Sequence, residues 1–208
     1  EAANWPNWRG PTQNGVSTEK GIPSEFGPEK NVAWKVKLPG PGGASPVVWG
    51  DQVYVTSVDG QKLLLQAFST SGKLKWQHQI GTGNKLVRGD EGNSASPSPV
   101  TNGKHVWAMM ANGEIACYSV AGQLAWKRDL RPAYGPFKIA FGLTASLILE
   151  DGKIILQMIH GSRSAKPEED QGLLVALDAG TGKQVWKQVR RSDAYDENKH
   201  SYTSPFIY

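Results

Sequence analysis

ALDAGTGKQVW, at residues 176–186, holds the end of one strand, a glycine turn and the start of a strand that reaches a tryptophan. Two other stretches repeat its outline, AFSTSGKLKW at 67–76 and CYSVAGQLAW at 117–126. A fourth tryptophan in the same setting, Trp34 in NVAWKVKLPG (31–40), extends the series toward the start of the chain. The tryptophans are separated by 42, 50 and 60 residues. Such self-similarity marks a repeat array, and it must be read before any single element is assigned.

A second marker opens each unit. Ser45-Pro46-Val47, Ser98-Pro99-Val100, Ser146-Leu147-Ile148 and Ser204-Pro205-Phe206 each place a serine before an apolar run, at intervals of 53, 48 and 58 residues. These periods lie near the roughly 40–50 residues of a four-stranded propeller blade and above those of leucine-rich or ankyrin repeats. Within the first unit SPVVWG, VYVTSV, KLLLQAF and KLKWQHQI are four short runs divided by Gly50-Asp51, Asp59-Gly60 and Ser71-Gly72. Alternating runs joined by such turns read as hairpins. The second and third units repeat the order, the third with a long polar insert before LLVALD. No segment carries the 3.6-residue apolar spacing of an amphipathic helix. The expectation is an all-β chain, a β-propeller of four-stranded antiparallel blades.

Composition fits this and removes other classes. The 208 residues include 24 Gly and 13 Pro with 38% apolar residues, suited to many short strands and turns. A net charge of +4 arises from 23 basic and 19 acidic residues mixed along the chain. No basic stripe interleaved with aromatics is present, so nucleic acid is not an expected partner. No apolar run is long enough for a transmembrane segment. Numbering opens on EAANW without a charged and apolar leader, which suits either a chain whose signal peptide has been removed or one that never had one. The single cysteine excludes an intrachain disulfide. Cys117 stands where Ala67 and Ala176 stand in the neighbouring units, so a small buried residue is expected there.

With Ala176, Asp178, Thr181, Gly182, Lys183 and Trp186 in place, ALDAGTGKQVW resembles the repeat of the pyrroloquinoline-quinone-type (PQQ-like) β-propellers. The resemblance covers about residues 31–208, though the first two units lack the Asp and the Thr-Gly pair. It implies seven or eight blades in a complete ring. It also implies that Trp34, Trp76, Trp126 and Trp186 dock between blades, on the backbone of the turn in the adjacent repeat. NWPNWRGPTQNGVS and GASPVVWGDQVYV are similar to the opening of secreted bacterial PQQ-repeat proteins, which implies a periplasmic or secreted location.

The expected organisation is then an N-terminal segment (1–30) docked on the ring through Trp5, Trp8 and Arg9, a closing outer strand of the last blade (31–38), blades at 44–80, 95–130 and 143–190, and the first strand of a fourth at 202–208. Three complete blades with two orphan strands make about half a ring. The remaining blades, at ~45 residues each, would come from a longer chain or from a second half-ring.

Loops from a fourth strand to the next first strand lie on one face of a propeller, and here they are long and polar. They offer Arg88 in the first, Arg131, Tyr134 and Lys138 in the second, and Arg191, Tyr195, Glu197, Lys199 and His200 in the third. Together these residues form the expected ligand-binding face, suited to a protein partner or to an anionic or carbohydrate-like small molecule. Solvated loop charge is the plainer reading of any one of them. His160 and His200 lack the convergent ligands a metal needs, so no metal site is expected.

Three function classes remain. A quinoprotein dehydrogenase of alcohols or sugars would, by the resemblance, hold pyrroloquinoline quinone and calcium, using vicinal cysteines that one cysteine cannot supply. A scaffold would resemble the lipoprotein of the outer-membrane barrel assembly machinery, without its anchoring cysteine near the mature N-terminus. A lectin-like binder is the third. Binding or scaffold function is the expectation, with the dehydrogenase as the alternative and catalytic residues assigned to none.

Overall fold

The computed structural model describes residues 3–87, 89, 92–137, 142–159, 172–194, 198 and 200–207. Among them, twelve strands form three four-stranded antiparallel sheets in chain order. The first sheet comprises β1 (Val47–Trp49), β2 (Gln52–Asp59), β3 (Lys62–Ser69) and β4 (Leu74–Thr82). The second comprises β5 (Val100–Thr101), β6 (His105–Met109), β7 (Glu114–Ser119) and β8 (Leu124–Asp129). The third comprises β9 (Ile148–Glu150), β10 (Lys153–Ile159), β11 (Gly172–Asp178) and β12 (Gln184–Arg190). Each sheet is a meander, so the repeats of the sequence are the blades of the fold. The first strands are the inner ones, since β1 lies against β5 and β5 against β9.

A single helical turn is described, α1 (Arg131–Tyr134), in the loop from the second blade to the third. Pro132 sits in its first turn, where its missing N–H costs nothing. No described helix is long and apolar enough to cross a membrane.

A bulge recurs at one position in every blade. Ala67, Cys117 and Ala176 pair with Trp76, Trp126 and Trp186, and the register slips at the next residue, between Ala67 and Phe68, Cys117 and Tyr118, and Ala176 and Leu177. Lys75, Ala125 and Val185 are the extra residues, each just before the tryptophan. A bulge bends its strand and re-aims the side chain that follows. Cys117 therefore faces the same close partner as the two alanines, and it is 1% exposed with its thiol pushed up to about 12 by burial.

Cores form between blades. Tyr54 and Ala67 of the first blade pack with Val106, Ala108, Ala116 and Tyr118 of the second. Trp107 and Cys117 of the second pack with Ile154, Leu156, Val175 and Leu177 of the third. On the far face of the third sheet Ile148, Ile155 and Ala176 gather with Leu174 and Trp186 in a smaller cluster.

The N-terminal segment lies across the inner strands. Trp5 makes a two-way antiparallel bridge to Val48, and the Pro6 carbonyl accepts the Thr101 N–H at 2.9 Å. Val48 and Thr101 stand three residues beyond Ser45 and Ser98, so the segment crosses successive blades at one level. Residues 31–38 pair with no sheet among the described residues, yet Trp34 reaches the first blade.

Candidate functional site

The joints between blades set the geometry of everything they enclose. Indole nitrogens of Trp34, Trp76 and Trp126 donate to the carbonyls of Thr70, Val120 and Ala179 at 2.7, 3.0 and 2.8 Å, each in the turn before the last strand of the next blade. The glycine of that turn takes the ring face: a Cβ on Gly72, Gly122 or Gly182 would stand 2.8, 2.8 and 2.7 Å from the docked indole. Two residues past the tryptophan a second donor follows, His78 to the Gly122 carbonyl at 2.7 Å and Arg128 to the Gly182 carbonyl at 2.5 Å. The turns themselves are tied differently. Asp178 accepts both the Thr181 N–H and hydroxyl, which holds its carboxyl below the usual carboxylate range. Ser69 and Ser119 accept the Lys73 and Gln123 N–H groups in the two blades that lack the Asp.

On the inner side the marker serines form a ladder. The Ser45 N–H donates to Ser98 Oγ at 2.9 Å, the Ser98 N–H to Ser146 Oγ at 3.0 Å, and the Ser146 N–H to Ser204 Oγ at 2.8 Å. The first two rungs join one blade to the next, the third joins the third blade to the stretch at 200–207, and the residue two places before each serine faces the same side. Gly43, Ser96, Thr144 and Tyr202, each two residues before its serine, line the same space. We expect Ser146→Ala to destabilise the protein by about 1–2 kcal/mol, because it strands the buried Ser98 N–H. An unchanged urea midpoint for this variant would remove the rung from the stabilising set.

That space is a cavity of about 840 Å³. Besides the two serine and threonine layers it is lined by Trp8, Arg9, Gln157, Leu174, Thr203, Pro205 and Phe206. The guanidinium of Arg9 lies 5.4 Å over the Trp8 ring. Gln157 presents an amide nitrogen that is buried and has no hydrogen-bond partner. No Asp or Glu lines the cavity among the described residues. Nor do three or more His, Cys, Asp or Glu converge as a metal would require, among the described residues.

The residues expected at the loop face separate. Tyr134 is 9% exposed in the core between the second and third blades, its hydroxyl bonded to Gln184 Oε1 at 2.9 Å, and burial raises its phenol. Arg131 forms a two-point pair with Asp129, both bonds 2.8 Å, and borders a smaller cavity of about 280 Å³ with Lys85, Asn112 and Phe137. Arg191 is exposed, whereas His200 is half-buried and its Nδ1 is enclosed without a partner. Arg88, Lys138, Tyr195, Glu197 and Lys199 lie outside the described residues, as does His160.

Arg9, Gln157, Ser96 and Thr144 are the lining groups that loop composition alone does not single out. The signal for Ser96 and Thr144 lay in their spacing: each stands two places before a marker serine and shares its face. Gln157 sits mid-strand and offers no such signal, because its exposure depends on what packs beside β10.

A family model described as outer membrane protein assembly factor BamB matches residues 27–135 and 111–197. A polyvinylalcohol dehydrogenase from Pseudomonas sp is 25% identical over 191 residues, covering 88% of this chain and 28% of that protein. One from Sphingopyxis sp. (strain 113P3) is 27% identical over 201 residues, covering 90% and 28%. This chain thus spans between a quarter and a third of the length of the curated relatives it matches. Among solved structures, BamB from Moraxella catarrhalis superposes with a TM-score of 0.46 at 17% identity, over 74% of this chain and 41% of that one. A europium-containing methanol dehydrogenase gives 0.49 at 17%, over 69% and 24%.

Proposed function

Because this chain belongs to the family of the outer membrane protein assembly factor BamB, we propose that it contributes blades to an extracytoplasmic PQQ-like propeller whose task is binding, with a small molecule held in the cavity at the serine ladder. The observation that carries this reading is the lining itself. A volume of about 840 Å³ is within the usual range of ligand pockets, and its wall combines hydroxyls from successive repeats with one guanidinium and the rings of Trp8, Tyr202 and Phe206. A few polar groups converging on an apolar, aromatic surface give both orientation and contact area. The rung bonds hold the serines of the wall in place, which lowers the ordering cost of binding.

Thr144 is exposed to the cavity, so Thr144→Trp puts an indole into it while leaving the ladder intact. A thermal-shift screen of sugars and organic acids should find compounds that raise the Tm of the unmodified protein and leave the Thr144→Trp protein unmoved. If no compound shifts the Tm, or if the filled variant responds equally, the cavity is not the binding site. Pull-down of an outer-membrane barrel protein by both forms alike would place recognition on the outer surface.

The two polyvinylalcohol dehydrogenases favour a second reading, an oxidoreductase whose chemistry lies partly in other residues of a longer chain. The residues present here do not fit a quinone with calcium. Calcium takes six to eight oxygen ligands with carboxylates prominent among them, and the described lining has none. Dye reduction on adding pyrroloquinoline quinone, calcium and polyvinyl alcohol to the full-length protein would establish this second reading against the first.

A further inference from the structure

We propose that the ligand of the serine-ladder cavity is an organic oxyanion, a carboxylate carried on a ring, and that Arg9 of the N-terminal segment is the residue that selects it. This rests on the cavity being the binding site. It follows from counting donors against acceptors.

Arg9 is a cation without a counter-ion: it makes no ion pair among the described residues, and its guanidinium reaches only the Asn14 carbonyl, at 3.5 Å. Ser98, Ser146 and Ser204 each use their oxygen to accept a backbone N–H, which leaves the hydroxyl hydrogens to point elsewhere. The Gln157 amide nitrogen, enclosed behind the wall, also has no partner of its own. Against these donors the described lining sets no carboxylate. An uncharged ligand would offer the guanidinium only neutral acceptors and leave its charge unmatched. A carboxylate accepts two parallel N–H bonds from the guanidinium fork and further bonds from hydroxyls, and such charge-assisted bonds are about twice as strong as neutral ones.

The aromatic part of the wall gives the rest of the ligand its shape. Trp8 already stacks under Arg9, so cation and ring face form one surface. A pyranose or benzene ring bearing the acid group would cover Trp8 or Tyr202 while its carboxylate meets Arg9. The segment that supplies Trp8 and Arg9 is not a strand of any blade. It is fixed to the ring by the Trp5 bridge to Val48 and by the Pro6 bond to Thr101, so selectivity is added to a repeat wall by a separate strap.

The test uses matched probes: D-glucuronate with D-glucose, and benzoate with benzyl alcohol, titrated by calorimetry into the unmodified protein, Arg9→Gln and Arg9→Lys. One or both acids should bind about tenfold more tightly than the uncharged counterpart, a difference of about 1.4 kcal/mol. Arg9→Gln should erase that preference and leave the uncharged probe within about twofold, while Arg9→Lys keeps part of it, because charge remains but the fork is lost. Added sodium chloride should weaken the acid only. Whether glucuronate or benzoate binds tells a sugar acid from an aromatic acid. Equal binding of acid and counterpart, no binding of either acid, or an Arg9→Gln protein that still prefers the acid would overturn the proposal. The Thr144→Trp screen judges the cavity separately, since a neutral ligand lost from that variant would keep the site and discard its charge preference.

Discussion

Trp107→Ala is expected to lower the unfolding free energy by about 3–5 kcal/mol, the range for removing a large aromatic from a close-packed core. Trp107 is 2% exposed and sits in β6 opposite Val100 and Cys117, among the residues that join the second blade to the third. Its indole N–H also crosses that joint to the Ala179 carbonyl at 2.9 Å. The same carbonyl takes the Trp126 indole at 2.8 Å, so one oxygen receives two rings. Loss of Trp107 would leave Ala179 still bonded, and most of the cost is therefore vacated volume. Trp107→Phe isolates this: it keeps much of the packing, drops only the N–H, and should cost clearly less. Urea denaturation measures both. If the phenylalanine variant were as unstable as the alanine one, the hydrogen bond would outweigh the packing.

Gly182→Ala is expected to cost about 2–5 kcal/mol, and Gly152→Ala only about 1–2. Both glycines have φ of +69°, so each substitution carries the same left-handed penalty of about 1–2 kcal/mol. They differ in what surrounds them. A Cβ at Gly152 meets nothing within 4 Å, whereas at Gly182 it would stand 2.7 Å from the Trp126 ring. The ring must shift or the turn must open, and overpacking of this kind adds about 1–3 kcal/mol. Because the backbone term cancels, the difference between the variants reads the docking contact alone. Equal urea midpoints with equal slopes would show that Trp126 yields without cost.

Much of this architecture was legible because the repeat writes the same physics three times. The glycine turn, the tryptophan after it and the serine before the apolar run each recur in fixed order, and each proves to be half of a blade-to-blade contact. The resemblance also implies where the tryptophans dock, and Trp34, Trp76 and Trp126 do meet the turn of the next repeat; what could not be read was the second donor at the Trp76 and Trp126 joints. Nothing in the repeat stretches states that His78 and Arg128 are further donors to the next turn. Arg128, near the end of β8, is a joint residue. Tyr134 looked like a residue of the ligand face and is packed in a core, because α1 turns its ring inward toward Gln184. Loop composition reports which side chains are available, and only the path of the chain decides which way they face. Arg9 shows the converse: its place between Trp8 and a glycine suggests packing alone, while the strap carries it to the cavity wall.

The joint between blades is directional. The first and second blades each extend an indole forward, and all three offer a glycine and a carbonyl behind, so plug and socket are encoded in one repeat. Copying a whole repeat therefore copies both halves of the fit, and the new unit slots between its neighbours without a new surface having to evolve. An array assembled from such parts can change its number of units by duplication or loss of DNA, with stability approximated by a sum of units and nearest-neighbour terms. Its cost is strictness at the socket: a substitution at one glycine cannot be rescued within its own blade, only by the tryptophan of the blade before.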